Sequence, residues 1–313
     1  MIQLRQIYEA QERIRHIVKT TPILSSDTIS AETGNYIFFK CEHLQKTGAF
    51  KIRGASNKVI VEAQDNIKHV VAASSGNHGQ AVAYIAGRLG IPATIVVPED
   101  AAACKRDAIR AYKGRIENCG TTSEERIERA KQISGGGQSL FIPPYDDPFI
   151  MAGQGTAGLE IIKQLDEIDE VYIPVGGGGL ISGVATAIKE SQPGIRIIGV
   201  EPAMANDTYL SFQQGKRVNI GGSQTIADGL RTSIPGELTF SVVQKYVDDI
   251  VLVEEEDIKS AIRIVLTRMK QLIEPSGAVS VAGALKRKPE GKRIVAFISG
   301  GNVDVERIPD LLE

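Results

Sequence analysis

The fold of this protein is decided by the stretch Val171-Tyr-Ile-Pro-Val-Gly-Gly-Gly-Gly-Leu180. An apolar run of strand length ends in four glycines, and a helical pattern begins at Leu180. Glycines leave backbone N–H groups unobstructed, and a helix N-terminus adds partial positive charge, so this turn predicts a phosphate site. A flexible tetraglycine loop is the alternative that the local sequence leaves open.

On both sides of this stretch, strand-like apolar runs alternate with amphipathic helical stretches. Short continuous apolar strands between helices are typical of a parallel sheet covered on both faces, so the predicted fold class is α/β. The predicted strands are residues 36–42, 69–74, 93–98, 115–119, 139–143, 171–175, 196–200, 250–253 and 293–298. Clear helical periodicity covers residues 123–133, 151–164 and 256–273.

The length of 313 residues suits one large or two medium domains. The polar stretch 64–68 and residues 143–148 are the places where the chain could cross between two lobes. The sequence therefore predicts a large domain of residues 1–63 and 146–313 and a small mobile domain of residues 64–145.

Composition excludes several classes of function. A net charge of −2 and 5% aromatic residues, without a basic patch, argue against binding of nucleic acid or anionic lipid. No apolar stretch approaches the roughly 18 residues of a membrane span. Three widely spaced cysteines (Cys41, Cys104 and Cys119) indicate neither a disulfide framework nor a metal site. We therefore expect a soluble cytoplasmic protein.

Lys51 stands in the run Lys46-Thr-Gly-Ala-Phe-Lys-Ile-Arg-Gly-Ala55, between an aromatic and an aliphatic residue. Loss of hydration lowers the pKa of a lysine amine, which is how a lysine becomes able to form a Schiff base near neutral pH. A lysine of this kind together with a phosphate cradle indicates pyridoxal 5'-phosphate, which needs both. Taken alone, Lys51 would be an ordinary surface lysine.

Ser299 ends a predicted strand just before Gly-Gly-Asn. A hydroxyl there can contact the pyridine nitrogen of the cofactor and leave it largely neutral. That favours β-elimination or racemisation over transamination. A simple turn serine is the competing interpretation.

The glycine turn also has a rival interpretation as a dinucleotide site. Gly177-x-Gly179-x-x-Ser182 is close to the required spacing, and Glu201 ends the next strand, where a ribose-binding acid would lie. The third glycine is missing, however. An NAD-binding oxidoreductase is therefore the alternative from a different class.

Five motifs together resemble the fold-type II pyridoxal-phosphate enzymes, whose fold is like that of the tryptophan synthase β chain. The closest branch is that of serine/threonine dehydratase and serine racemase. The resemblance implies two open twisted parallel-sheet domains with the cofactor between them, and a homodimer. The motifs are residues 46–55, Ser74-Ser-Gly-Asn-His-Gly79, residues 176–183, Glu274-Pro-Ser-Gly-Ala278 and Ser299-Gly-Gly-Asn-Val-Asp304.

The resemblance implies residue roles. Lys51 would hold the cofactor and move the substrate α-proton, and Ser75 could be a second catalytic residue. The implied cofactor contacts are Phe50, Lys51, Asn77, Gly176, Gly177, Gly178, Gly179, Glu274 and Ser299. The implied substrate contacts are Ser74, Ser75, Gly76, Asn77, His78, Gln154, Asp228 and Arg126.

Ser75 bears on the reaction type. Many threonine dehydratases carry alanine at this place, whereas serine racemases carry serine. A hydroxyl that faces Lys51 across the substrate could reprotonate the opposite face, so Ser75 permits racemisation. A serine that only binds a carboxylate or phosphate explains the residue equally well.

A divalent-cation site is also implied by the resemblance. The carboxylates of Glu201 and Asp207 and the carbonyl of Ala205 are hard oxygen ligands suited to Mg²⁺, Ca²⁺ or Mn²⁺. Some racemases of this branch bind ATP at the subunit interface, and Lys46, Lys105 and Lys270 fall at comparable places. Three lysines among many do not decide that point.

The predicted function is that of an ammonia-lyase (dehydratase). It would convert L-serine to pyruvate and L-threonine to 2-oxobutanoate, each with release of ammonia. The alternatives are serine racemase, an enzyme that performs both reactions, and 3-hydroxyaspartate dehydratase. The expected partner is therefore a small hydroxy amino acid.

Overall fold

The computed structural model describes residues 1–63, 67–74, 76–99, 101, 103–120 and 123–313, without the side chains of residues 103, 104, 123 and 124. The helices are α1 (Leu4–Ile14), α2 (Asp27–Thr33), α3 (Lys51–Glu62), α4 (Asn77–Leu89), α5 (Ala103–Ala111), α6 (Ser123–Ser134), α7 (Pro148–Gln164), α8 (Gly179–Ser191), α9 (Asp207–Gln214), α10 (Glu237–Tyr246), α11 (Glu255–Ile264), α12 (Pro275–Leu285) and α13 (Ile308–Leu312). The strands are β1 (Ile23–Ser25), β2 (Tyr36–Cys41), β3 (His69–Ala73), β4 (Ala93–Val97), β5 (Arg115–Asn118), β6 (Ser139–Phe141), β7 (Glu170–Pro174), β8 (Arg196–Pro202), β9 (Asp249–Val253) and β10 (Arg293–Ile298).

The strands form two sheets. The large sheet has the order β1-β2-β10-β7-β8-β9, and the small sheet has the order β5-β4-β3-β6. Only β1 pairs antiparallel among the described strands, and it lies at the edge of the large sheet. Helices cover the sheets, as expected for parallel strands that are buried on both faces. The predicted α/β fold class is confirmed.

The sequence patterns located the strands well. Each predicted strand is present with ends that agree within about two residues, and the short antiparallel strand β1 was missed. The helix predicted for residues 256–273 is shorter than expected. It is α11 followed by the π-helical turn Val265–Met269, and it ends because Lys270 has a left-handed φ of 58°.

The strand order places the functional motifs at one edge. Strands β2, β10 and β7 are neighbours, so the segments that follow their carboxyl ends leave the large sheet side by side. These segments carry Lys51, Ser299 and the glycine loop, which we define as residues 176–179. In open α/β sheets this is the edge where ligands bind.

Two helix starts are fixed by neighbouring acids. Asp147 caps α7 by accepting hydrogen bonds from the backbone N–H groups of Phe149 and Ile150, and Pro148 follows it at the first helical position. Asp146 accepts from the backbone N–H groups of the first three residues of α10. The crossing of the chain at residues 143–147 is thereby attached to two helices of the large sheet.

A buried ionic cluster joins α3, α7 and the end of β2. The Arg53 guanidinium contacts Glu42 Oε1 at 2.7 Å and Glu160 Oε1 at 2.7 Å, and Lys40 Nζ lies 2.6 Å from Glu160 Oε2. Arg53, Lys40 and Glu42 are 0% exposed, so their charges are compensated by one another rather than by water. The cluster holds the helix that begins at Lys51 against the large sheet.

None of the described helices is both long and apolar enough to span a lipid bilayer.

We expect the substitution Arg53→Met to lower the free energy of unfolding by about 3 kcal/mol or more, because it leaves two buried carboxylates facing a single lysine. Urea denaturation followed by circular dichroism measures the change. The matched control is Arg268→Met, which removes an ion pair with Glu32 whose side chains are 50% and 52% exposed. We expect the control to change stability by less than about 0.5 kcal/mol. Equal effects of the two substitutions would contradict the importance of the cluster.

Candidate active site

Lys51 is the first residue of α3 and is partly buried. Its Nζ donates a hydrogen bond of 2.8 Å to the carbonyl of Pro144 and lies 5.2 Å from the centroid of the Phe50 ring. Burial lowers the pKa of the Lys51 amine to about 8, and the nearby Glu274 carboxylate opposes this shift. The Lys51 amine is therefore half neutral at about pH 8, well below the pH at which an ordinary lysine loses its proton.

The position of Lys51 is set by the segment that follows β10. The backbone N–H of Phe50 donates to the carbonyl of Ser299 at 3.0 Å, and Ala49 forms an isolated bridge with Gly300. Asn302 Nδ2 donates to the carbonyl of Thr47 at 2.7 Å. Two segments far apart in sequence thus hold the lysine beside the end of β10.

The glycine loop is closely covered by side chains of other segments. A Cβ at Gly177 would overlap the Tyr145 ring, and a Cβ at Gly178, whose φ is 87°, would lie 2.8 Å from Thr239 Cβ. Gly176 similarly lies against Leu230. These contacts explain why glycine is required here, independently of any ligand.

The glycine loop also has the properties of an anion site. Helix α8 begins at Gly179, and its N-cap residue, Gly178, has no side chain that could cap it. Backbone N–H groups of the first helical turn lack intrahelical partners and carry partial positive charge. A phosphate group fits this arrangement because it can accept several of these hydrogen bonds at once.

Glu274 and Asn77 meet between the two sheets. Asn77 Nδ2 donates to Glu274 Oε1 at 2.7 Å, and Asn302 Nδ2 donates to Asn77 Oδ1 at 2.7 Å. Burial raises the pKa of the Glu274 carboxyl to about 8, with the negative charge of Asp228 as the next cause. Lys51 and Glu274 are therefore two interacting groups that titrate in the same pH range.

Ser299 and His78 are both buried. Ser299 Oγ lies 3.4 Å from the carbonyl of Ser276, near the start of α12. His78 Nε2 donates to the carbonyl of Ile142 at 2.9 Å, and burial together with the positive charge of Lys51 lowers the pKa of His78 to about 3. The imidazole is thus neutral, and its Nε2 hydrogen is already bound.

The turn before α4 is described only in part. Ser75 lies outside the described residues. Ser74 Oγ accepts a hydrogen bond from the backbone N–H of Gly76, and α4 begins at Asn77 without a side-chain cap from Gly76. The role of this turn toward the substrate carboxylate, which the resemblance implies, stays a prediction.

Three weaker substrate candidates have different surroundings. Gln154 is 1% exposed and accepts from the backbone N–H of Gly54 at 3.1 Å, a contact that joins α3 to α7. Asp228 Oδ2 lies 2.5 Å from Lys105 Nζ. Arg126 lies on α6 and is partly buried. The Gln154 contact is explained by helix packing, and a role of these residues toward substrate stays a prediction.

The expected metal ligands lie at the end of β8 and in the segment that leads into α9. Glu201 and Asp207 are 0% exposed, and Ala205 is also buried. Glu201 accepts from the backbone N–H groups of Thr208 and Tyr209, and Asp207 accepts from the Thr232 hydroxyl. Within the described residues no group of three or more His, Cys, Asp or Glu side chains forms a metal cluster.

Sequence reasoning missed Tyr145 and the Pro144 carbonyl. Both belong to the crossing at residues 143–147, which contacts Lys51 on one side and the glycine loop on the other. The only sequence signal was the run Asp-Asp-Pro at residues 146–148, which is typical of a helix start. Nothing local indicates that the residues before it lie beside a lysine 93 positions away.

We expect Glu274→Gln to lower the pKa of the Lys51 amine in the cofactor-free protein, because the Glu274 charge raises it. The measurement is the pH dependence of reductive methylation at Lys51, followed by mass spectrometry of the peptide. The midpoint should move toward lower pH. The exposed Glu256→Gln is the control and should leave the midpoint unchanged. A shift to higher pH in Glu274→Gln would contradict the interaction.

Comparison with known proteins agrees with this geometry. The family model described as pyridoxal-phosphate dependent enzyme matches residues 14–300. The chain is 43% identical to an L-threonine ammonia-lyase of Geobacter sulfurreducens, covering 100% of this chain and 79% of that protein. It is 41% identical to an L-threo-3-hydroxyaspartate ammonia-lyase of Saccharomyces cerevisiae, covering 98% and 95%.

A solved structure of a related enzyme also matches this chain in fold. The structure of maize serine racemase has a TM-score of 0.94 and 41% identity, and the match covers 99% of this chain and 96% of that one. The family resemblance predicted from the motifs is confirmed. The match is to enzymes that use pyridoxal phosphate, so it gives no support to the NAD-binding alternative. The chain belongs to the family of pyridoxal-phosphate dependent enzymes.

Proposed function

We propose that the protein is a pyridoxal-phosphate-dependent ammonia-lyase of the serine/threonine dehydratase type. It would convert L-serine to pyruvate and ammonia, and L-threonine to 2-oxobutanoate and ammonia. The observation that carries this proposal is the partly buried Lys51 amine, whose pKa is lowered to about 8. Names of relatives at 41% to 43% identity include the same reaction type.

The residues present fit the cofactor. The uncapped N-terminus of α8 would hold its phosphate, the Asn77 amide would contact its ring, and Ser299 Oγ would face its ring nitrogen. When bound, pyridoxal phosphate supplies a carbonyl that reacts with amines and a ring system that stabilises negative charge at the substrate Cα. Tyr145, Thr239 and Leu230 contact the glycine loop and fix its backbone. The phosphate site would therefore be preorganised.

Proton transfer and binding of the substrate carboxylate would be carried out by different groups of the protein. Neutral Lys51 Nζ would accept the proton from the substrate Cα, and the β-hydroxyl would take up a proton and leave as water. The Pro144 carbonyl, 2.8 Å from Lys51 Nζ, orients the amine. The backbone turn at residues 74–77 would bind the substrate carboxylate. Overall, the amino acid loses ammonia, and its β-hydroxyl oxygen is replaced by the oxygen of water at the 2-position.

The identity of residue 299 supports elimination. A hydroxyl adds no negative charge at its position, unlike an aspartate, and Ser299 is buried where it already contacts the Ser276 carbonyl. It would therefore not hold a proton on the ring nitrogen by charge. This restricts how far negative charge spreads from the substrate and disfavours transamination.

Serine racemase is the second candidate function. The likeness to maize serine racemase favours it, and Ser75 is the residue that would supply a second acid/base opposite Lys51. Chiral analysis of serine incubations with the native protein and with Ser75→Ala separates the two reactions. Retention of full racemisation by Ser75→Ala would overturn the two-base proposal.

We expect Lys51→Ala to lower formation of 2-oxo acid from serine and threonine by at least about a thousandfold, because it removes the amine that would accept the α-proton. A coupled assay for pyruvate and 2-oxobutanoate measures the rate. The exposed Lys131→Ala is the control and should stay within about twofold. Ammonia and 2-oxo acid release at the native rate from Lys51→Ala would overturn the assignment. Parallel incubations with 3-hydroxyaspartate test that substrate alternative.

We also propose a divalent-cation site at Glu201, Asp207 and the Ala205 carbonyl. Burial and then the charge of Asp207 raise the pKa of Glu201 well above its usual value, and burial raises that of Asp207 to about 7. Oxygen ligands that are costly to ionise without a cation fit Mg²⁺, Ca²⁺ or Mn²⁺.

This site predicts a pH-dependent stabilisation. Without a cation, a carboxyl whose folded pKa is raised makes the fold progressively less stable as pH rises from its usual pKa, 3.8 for Asp207, to about 7, where the loss is complete. Added Mg²⁺ or Mn²⁺ should therefore raise the melting temperature at pH 8 more than at pH 6. Differential scanning fluorimetry measures this. Asp207→Asn should abolish the effect, whereas the exposed variant Asp166→Asn should retain it. Equal stabilisation of both variants would contradict the site.

We further infer a cytoplasmic homodimer whose small sheet forms a separate mobile domain, with boundaries at residues 64 and 145. The family resemblance supports the dimer, and the free thiols of Cys41 and Cys119 support a reducing compartment. The two places where the chain passes between the sheets support the domain division.

The net charge of −2 gives no attraction to nucleic acid.

A further inference from the structure

One ion pair connects the helices of the small sheet to the large sheet. Lys105 lies on α5, which connects β4 to β5, and its Nζ lies 2.5 Å from Oδ2 of Asp228 in the turn Asp228–Leu230. The two side chains are 27% and 33% exposed, so the pair lies at the rim of the space between the sheets.

The turn that carries Asp228 is attached to the proposed cofactor site. The backbone N–H of Gly229 donates to Ser276 Oγ at 2.9 Å, and Ser276 is also the residue whose carbonyl contacts Ser299. The next residue, Leu230, lies against Gly176 of the glycine loop. A displacement of Asp228 would therefore also displace Ser276 and Leu230, which contact Ser299 and the glycine loop.

The pair is also part of the electrostatic surroundings of Glu274. The Asp228 charge raises the pKa of Glu274 and the Lys105 charge lowers it, while Asn77 and the backbone of Asn302 donate to its carboxylate. Glu274 in turn acts on Lys51. The charges that face Glu274 are thus Asp228, Lys105 and the catalytic amine.

We propose that Lys105 and Asp228 form a clasp, an ion pair that holds α5 against the turn Asp228–Leu230 at the rim of the cleft and that balances the charge around Glu274. Lys105 is then a positioning residue, which acts through Asp228 rather than by touching the reacting atoms. This inference rests on the proposed function, because it assigns the clasp to the same cleft.

An ordinary surface ion pair on the same helix provides the contrast. Arg110 pairs with Asp107 at 3.0 Å within α5, and their side chains are 61% and 69% exposed. That pair joins residues one helical turn apart and connects nothing else. The Lys105–Asp228 pair joins residues 123 positions apart. Arg110→Ala is therefore the matched control for Lys105→Ala.

Hydrogen exchange tests the clasp without any need for activity. In the holoenzyme, Lys105→Ala and Asp228→Asn should each speed amide exchange in two separate peptides, one from α5 and one that contains residues 228–230. Exchange measured by mass spectrometry reports both. Arg110→Ala should leave the peptide of residues 228–230 unchanged. Faster exchange confined to α5 in Lys105→Ala would overturn the clasp.

Kinetics supply the second test. Each single substitution should raise KM for the hydroxy amino acid about fivefold and leave kcat within about twofold, since a partly exposed ion pair contributes modestly to closure. The double variant Lys105→Asp with Asp228→Lys should recover most of the native KM, which a direct substrate contact by either residue alone would not allow. The clasp would be refuted if Asp228→Asn alone raised KM and the double variant did not recover the native KM.

The pH dependence of kcat/KM tests the charge balance around Glu274 separately from the mechanical role of the clasp. Both single substitutions open the clasp, but Asp228→Asn should shift the Glu274 titration to lower pH and Lys105→Ala to higher pH. Opposite shifts in the pH profile of kcat/KM support the charge balance, and shifts of the same sign refute it. If the native protein turns over no hydroxy amino acid, the proposed function fails, while the exchange result still decides the clasp.

Discussion

The buried contact of Arg53 with Glu42 and Glu160 is the constraint on which the site depends. Helix α3 carries the reactive lysine at its first residue and this arginine two residues later. Since three of the four charged side chains in the cluster are fully buried, α3 can rotate or slide only by leaving charges uncompensated. The lysine is thereby fixed beside the end of β10 by an interaction that takes no part in the chemistry.

Around that fixed lysine, the site is assembled from segments that follow parallel strands. Ser299 follows β10, and the glycine loop follows β7, its neighbour in the large sheet. Asn77 follows β3 of the small sheet and reaches Glu274 across the interval between the sheets. Each segment contributes one group, so the geometry of the site is a consequence of strand order rather than of any single loop.

The glycines illustrate how one pattern can serve two purposes. The sequence indicated a phosphate cradle, and the uncapped helix start agrees with it. The structure adds that Gly177 must lack a Cβ because Tyr145 lies there, and that Gly178 lies against Thr239 with a positive φ. Substitution of these glycines would therefore disturb helix and loop contacts as well as ligand binding.

The sequence by itself determined the α/β class, the positions of nearly all strands, the family and the candidate residues Lys51 and Ser299. The class, the strands and the two candidate residues follow from periodicity, glycine spacing and local chemistry, which are properties of neighbouring residues. The family follows from the resemblance of five motifs to known enzymes. Only the tertiary structure showed three contacts. The charge of Arg53 is compensated by Glu42 and Glu160 in the core, the Pro144 carbonyl accepts a hydrogen bond from Lys51, and Lys105 forms an ion pair with Asp228. Such pairs are separated by many residues, and their distance depends on how helices and sheets pack, which no local pattern encodes.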